Sequence, residues 1–167
     1  VTASSAAVDD PAARPQVVLD GDRGTGWVAA PLDDDPALTV RLAQPRRLTG
    51  LRLQVDPALP ASAPASVVVE STAGTRTGEL DDAGRLRFAP LVTDELRLTF
   101  PTVQPVQSYD QGQRLWSLLP VGVSELQVRG AEDLTEPSAD AVVRVRCGRG
   151  PAVGVGDRQV ELSVAAP

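Results

Sequence analysis

The chain holds 167 residues with a formal net charge of −6, a balance that argues against nucleic acid or an anionic membrane as a partner. It has no His, and all 16 basic residues are Arg, so a Ser-His-Asp triad, a His-ligated zinc, a Schiff base and a P-loop are all excluded. Carboxylates, Arg, one Tyr and one Cys remain for acid–base work. A two-carboxylate glycosidase stays open on that basis, and the expectation is a non-enzyme.

Leu19 to Trp27 read LDGDRGTGW. Gly21, Gly24 and Gly26 permit a tight turn, on which Asp20, Asp22 and Thr25 gather oxygen. Oxygen-only side chains on a curled loop suit a hard cation such as calcium, although the twelfth-position Glu of an EF-hand is missing. The same residues also make an ordinary Asp/Gly turn ahead of a buried strand that starts at Trp27. Both readings stand. Asp33, Asp34 and Asp35 follow within a break from Pro31 to Pro36 and read as a solvated turn.

Strand signals dominate what comes next. Leu38–Leu42, Leu51–Val55, Leu86–Phe88, Leu96–Phe100 and Leu126–Arg129 alternate aliphatic residues with Arg, Thr or Gln, which predicts one buried and one wet face. Val67-Val68-Val69 is continuous and predicts burial on both faces, and Arg46-Arg47 reads as a surface pair at a strand start. Pro-, Gly- and Asp-rich breaks separate these runs at 57–64, 81–84 and 101–112. No segment keeps a 3.6-residue apolar period over three turns, so the prediction is an all-β fold, an antiparallel sandwich or barrel.

Residues 1–130 form the main domain in this reading, and the acidic stretch 131–140, AEDLTEPSAD, forms a linker. Strands at Ala141–Arg146 and Val160–Val164 flank a CGRGP turn. Residues 141–167 are too short a unit to stand alone, so they either dock on the sandwich or begin a further β unit. Cys147 is either a small buried hydrophobe or half of a disulfide whose partner lies elsewhere. With no initiator Met, no signal peptide and no run of 18 apolar residues, the chain reads as a soluble piece of a larger protein, with no direct membrane insertion.

Val1-Thr2-Ala3-Ser4-Ser5, LDGDRGTGW, ALTVRLAQPRRLTGLRL and the closing VSELQVRG (Val123 to Gly130) together resemble the discoidin, or coagulation factor 5/8 C-type, family. This galactose-binding-like family includes the family 32 carbohydrate-binding modules. Its signature is DG(D/N)xxTxW, followed by a strand running to DLG. Here RLAQP replaces DLG, so the edge of that strand departs from the pattern. The resemblance covers residues 1 to 130 and implies a jelly-roll β-sandwich with a structural calcium where the first loop meets the closing strand. The implied ligands are the Val17 carbonyl, the Asp20 carboxylate, the Asp22 carbonyl, the Thr25 hydroxyl and carbonyl, the Ser124 carbonyl and the Glu125 carboxylate. That set lies within calcium's coordination range of roughly six to eight oxygens. Glu125 interrupts a strand of Val, Leu and Val, where a lone carboxylate needs a partner; the bland alternative has it pointing into solvent.

LPVGVSELQVRG with CGRGP is similar to the extracytoplasmic C-terminal region of actinobacterial membrane arabinofuranosyltransferases. That likeness implies a carbohydrate-binding or accessory module for arabinan- or galactan-type wall polysaccharide, joined to the rest of a membrane-anchored or secreted parent at the extracytoplasmic face of the envelope. It also implies a Cys147 partner outside this chain, in a compartment that permits disulfides. The rival reading is a structural or protein-docking module with no sugar site.

A sugar site needs an aromatic platform flanked by polar groups. Trp27, Phe88 and Phe100 fall at core positions. Tyr109 and Trp116, with Asp110, Gln113 and Arg114 as polar neighbours, lie in the longest irregular stretch and form the candidate platform. The alternative has Trp116 plugging the end of the sandwich beneath its own loop.

Overall fold

A computed structural model of the chain describes residues 1–112 and 114–135, and beyond them the backbone of four short strands. The chain divides into two units, Val1–Pro137 and Ser138–Pro167.

The strands of the first unit are β1 (Thr2–Ala3), β2 (Trp27–Val28), β3 (Ala37–Gln54), β4 (Ala63–Pro64), β5 (Ser66–Ser71) and β6 (Gly74–Glu79). After them come β7 (Arg85–Thr99), β8 (Val103–Gln104), β9 (Gln107–Asp110), β10 (Leu115–Leu118), β11 (Gly122–Val123) and β12 (Glu125–Arg129). Two short 3-10 turns, Pro11–Ala13 and Pro15–Leu19, precede β2. The main sheet is antiparallel in the order β1-β3-β7-β5-β6, and β12 also pairs with β3. Short pairs β2–β11 and β4–β8, joined through a bridge between Ser62 and Val121, make the facing layer. The result is the expected antiparallel β-sandwich.

The alternation read from the sequence explains the core. Leu38, Val40 and Leu42 of β3 point inward, as do Leu96 and Leu98 of β7 and Leu126 and Val128 of β12. The two runs 38–42 and 51–55 belong to one long strand whose inward set changes from even to odd numbers. Its pairing with β7 shifts register between Arg41 and Arg46 and again between Leu48 and Gly50, and each bulge inserts unpaired residues that re-aim the side chains. Arg46 and Arg47 therefore lie in mid-strand, and Arg46 makes a two-pronged ion pair with Asp133. Val67 and Val69 are buried, but Val68 between them is half-exposed, so β5 has one core face where the continuous run predicted two.

The sandwich runs past Gly130. Ala131 is 1% exposed, and its amide donates to the Val128 carbonyl at 3.0 Å. Leu134 packs against the core, and its amide donates to the Ala131 carbonyl. The first part of the stretch read as a linker from 131 thus closes the sandwich. The signal for this is the pair of apolar residues, Ala131 and Leu134, three apart in an otherwise acidic run.

The second unit contains two antiparallel pairs, β13 (Val143–Arg144) with β16 (Ala165–Ala166), and β14 (Ala152–Val155) with β15 (Arg158–Glu161). Cys147, the CGRGP turn and most of the expected strand after Val160 lie outside the described residues.

Asp33 is more than a solvated turn. Its carboxylate accepts the hydroxyls of Ser4 and Ser5, both at 2.5 Å, while those hydroxyls accept the amides of Ala37 and Ala30. The two serines, first Ser4 and then Ser5, hold the Asp33 carboxyl below its ordinary pKa. A depressed folded-state pKa contributes stability above the unfolded value, and that contribution is lost as pH falls through the folded value. Asp33→Ala should cost about 1 kcal/mol at neutral pH. Its deficit in urea midpoint should shrink once the pH drops below the ordinary carboxylate range.

Candidate functional site

Two places carry functional chemistry. The first is the loop 19–27. Pro15 starts the 3-10 turn that ends at Asp20, whose amide donates to the Val17 carbonyl at 3.1 Å. Gly21, at φ 74°, reverses the chain where a side chain would be strained. The Asp20 carboxylate accepts the Asp22 amide at 2.8 Å and the Thr25 hydroxyl at 2.9 Å. Thr25 Oγ1 also lies 2.9 Å from the Asp22 carbonyl oxygen, and Asp22 Oδ1 accepts the Gly24 amide at 2.8 Å. Asp20, Asp22 and Thr25 therefore form one oxygen-rich turn.

β12 meets this turn at Glu125. That side chain is buried, and its Oε2 has no hydrogen-bond partner; no other buried side-chain oxygen or nitrogen among the described residues lacks one. Burial pushes the Glu125 carboxyl above its usual pKa. The nearby Asp20 carboxylate adds to the rise, and the Gly21 amide and Arg23 pull the other way. The solvent-pointing alternative for Glu125 thus fails. Asp20 and Glu125 line an open hollow of about 400 Å³.

Ser124, next in line, is fully buried. Its amide donates to the Gln54 carbonyl, and its hydroxyl accepts the Asp56 amide at 2.9 Å. Of the sequence-predicted ligand residues, Asp20, Asp22, Thr25 and Glu125 are thus neighbours, while Val17 heads the turn with its carbonyl on the Asp20 amide and Ser124 directly precedes β12. Among the described residues, no three His, Cys, Asp or Glu side chains converge on a metal-sized site. A cation here would depend on hydroxyl and carbonyl oxygens beside the two carboxylates.

The second place is a hairpin. β9 and β10 pair with Tyr109 opposite Trp116 and with Asp110 opposite Leu115. The Leu119 amide donates to the Val106 carbonyl at 2.8 Å, which makes the base of the hairpin a hydrogen-bonded pair. Alternation from that pair puts Tyr109 and Trp116 at a non-hydrogen-bonded position, where cross-strand side chains come closest. Their ring centroids are 5.3 Å apart with planes tilted by 53°. Tyr109 is 45% exposed and Trp116 is 67% exposed. The reading of Trp116 as a plug fails for that reason.

The period of two adds Gln107 and Leu118 to the face that holds the rings, neighbours that the amino-acid pattern alone does not single out. Arg114 sits exposed in the turn with φ 54°, and Gln113 lies outside the described residues. The buried Ser62 clamps the hairpin's base, its hydroxyl donating to the Leu119 carbonyl and accepting the Val106 amide. The core aromatics sit where they were expected. Trp27 is fully buried against Phe100 with its indole N–H on the Ser5 carbonyl, and Phe88 packs half-buried against the same core.

Comparison with known proteins adds context to this geometry. The family model for the third carbohydrate binding module of arabinofuranosyltransferase D matches residues 1–142. An alpha-(1->3)-arabinofuranosyltransferase of Mycolicibacterium smegmatis is 26% identical over 163 residues, covering 87% of this chain and 11% of that protein. The cryo-EM structure of arabinofuranosyltransferase AftD from Mycobacteria superposes with a TM-score of 0.76 at 24% identity, over 99% of this chain and 14% of the other. A family 32 carbohydrate-binding module of Clostridium perfringens, solved with GalNAc-β-1,3-galactose, superposes with a TM-score of 0.58 at 16% identity, over 77% of this chain and 92% of the module. The chain thus spans only a small part of the transferases it matches.

Proposed function

We propose that this chain, which belongs to the family of third carbohydrate binding modules of arabinofuranosyltransferase D, is a non-catalytic module that holds arabinan- or galactan-type wall polysaccharide on the Tyr109–Trp116 face. The observation that carries the proposal is the exposure of two touching rings on a hairpin clamped to the core, because large aromatics are normally driven inward. The apolar face of a sugar ring packs on such a surface, while Gln107 on the same face and Arg114 in the turn supply polar groups for its hydroxyls. Of the solved relatives, a module of similar fold holds a galactose-containing disaccharide, which is consistent with a sugar as the ligand. The module works at the extracytoplasmic face of the envelope as part of an arabinofuranosyltransferase. Its own affinity is weak, and tethering to the parent supplies the effective concentration.

We further propose that the loop 19–27 acts as a staple between the N-terminal segment and β12. The unpartnered Glu125 Oε2 beside the Asp20 carboxylate fits a calcium ion, the simplest group that would both satisfy that oxygen and offset two negative charges. Asp20 and Glu125 would hold the ion with the Thr25 hydroxyl and carbonyls of Val17, Asp22, Thr25 and Ser124. One ion would then tie the N-terminal loop to a strand about a hundred residues later.

Electrophoresis through gels containing arabinan or galactan tests the sugar reading. The 167-residue chain should be retarded by at least one of them, and Trp116→Ala should run as in a plain gel, a loss of about tenfold or more in affinity. Unretarded migration in both gels would favour the rival, a protein-docking module. Leu115 and Leu118, each more than 60% exposed on the same hairpin, are the observation in that rival's favour.

A further inference from the structure

The outer face of the main sheet gathers positive charge that the acidic composition conceals. Along β12, β3 and β7, the residues aligned across the strands are Arg129, Gly50 and Arg87 in one row and Gln127, Arg52 and Arg85 in the next. Leu51 and Val128, which alternate with them, face the core, so both rows face outward. Gly50 has no side chain and leaves a floor between Arg129 and Arg87. A Cβ there would come within 2.6 Å of the Leu86 carbonyl, so the floor cannot be filled without moving the backbone. Arg52, Arg85, Arg87 and Arg129 line one open groove of about 400 Å³, whose lining holds a single carboxylate, Glu132.

The charges in this groove are only partly answered. Arg85 pairs with Asp81 at 3.1 Å, and Arg52 donates to the Ala83 carbonyl at 3.1 Å. Glu132 is already engaged by the Gly130 amide, and Arg129 acts on it only through its charge. Among the described residues, no carboxylate lies within ion-pair distance of Arg52, Arg87 or Arg129. Arg52 also stands directly opposite Arg85, and like charges at facing positions of neighbouring strands destabilise a sheet. An arrangement that costs stability in the free chain gains it back when an anion enters.

We propose that this groove is a second binding site, one that takes an anionic group, a carboxylate or phosphate carried on a sugar. Planar guanidinium groups recognise both anions through paired N–H donors. The concave shape and the volume suit one or two sugar rings. The surrounding charge selects a glycan over a bilayer: a chain of net charge −6 is repelled by an extended anionic surface, whereas a single charged residue of a polysaccharide reaches only the groove. The site is separate from the aromatic hairpin and does not depend on it.

The test is an NMR and thermal titration of the 167-residue chain with digalacturonate, glucose 1-phosphate and a neutral digalactoside, each at low and high salt. At least one charged sugar should shift the amides of Gly50, Arg52, Arg87 and Arg129 and raise the melting temperature, with an affinity that falls as salt rises. The two charged probes distinguish a carboxylate from a phosphate source. The exposed double substitution Arg87→Gln/Arg129→Gln should keep the fold and lose about tenfold in affinity, while Arg41→Gln, a surface control, should lose nothing. The proposal is overturned if neither charged sugar moves those amides, if the neutral sugar moves them equally, if the double variant binds as well as the parent, or if the chain sediments with phosphatidylglycerol vesicles and binds neither sugar.

Discussion

Calcium at about a hundred times its Kd is expected to raise the melting temperature of this chain by roughly 8 °C, and Glu125→Gln is expected to erase the rise. The magnitude follows from linkage. A ligand at that excess that binds only the folded state adds about 2.7 kcal/mol, and a domain of this size moves by about 3 °C per kcal/mol. The substitution removes one of the two carboxylates and keeps the side-chain volume.

Without calcium, the same variant should melt at or above the parent. Glu125 is buried, has an oxygen with no partner and lies near the Asp20 charge, so its ionised form is a burden in the metal-free state. Asp20→Ala should behave differently. It strips the acceptor from the Asp22 amide and the Thr25 hydroxyl, and so lowers the melting temperature whether calcium is present or not. Scanning fluorimetry in calcium and in chelator checks all three chains. Identical curves for the parent in both buffers would remove the ion from the account and leave the loop as a hydrogen-bonded turn.

The second large effect concerns Trp27. Trp27→Ala should cost about 3–5 kcal/mol, enough to lower the urea midpoint by more than 1 M. The indole is fully buried, lies 6.2 Å from the Phe100 ring and donates to the Ser5 carbonyl at 2.7 Å. Its loss opens a cavity and also releases the N-terminal segment that Ser4, Ser5 and Asp33 knit to the sandwich. Trp27→Phe should cost less, because it keeps most of the apolar contact and gives up chiefly the hydrogen bond. A cost for Trp27→Ala below 1 kcal/mol would mean that the indole is not the keystone of this end of the fold.

What the sequence disclosed and what it hid divide along physical lines. The alternation of Leu38, Val40, Leu96 and Leu98 was readable because a one-sided strand leaves a period of two wherever it occurs. The joining of two runs into β3 was not readable, because the bulges that carry the strand through Pro45 are set by its pairing with β7. The loop chemistry of Asp20, Asp22 and Thr25 was legible locally. Glu125 joined it through the resemblance and its odd place in an apolar strand, and its orphaned oxygen emerges only from packing. Tyr109 and Trp116 were singled out as residues, but their exposure was not, since an aromatic in an irregular stretch can plug a core as readily as it can stand in water. Register decides between those outcomes, and it also supplies Gln107 and Leu118. The arginine groove stayed hidden because Arg between aliphatics reads as a wet strand face. Only the pairing of β12, β3 and β7 gathers those faces into one patch.

The central claim is that the Tyr109–Trp116 face binds sugar, and acrylamide quenching of tryptophan fluorescence tests it most directly. Trp27 is sealed in the core and Trp116 is 67% exposed, so nearly all of the quenchable emission reports on Trp116. Arabinan or galactan oligosaccharide at millimolar concentration is predicted to shield that emission and shift it to the blue, and the Trp116→Ala chain to show neither change. Quenching that stays unaltered up to saturating oligosaccharide of both kinds would contradict the claim.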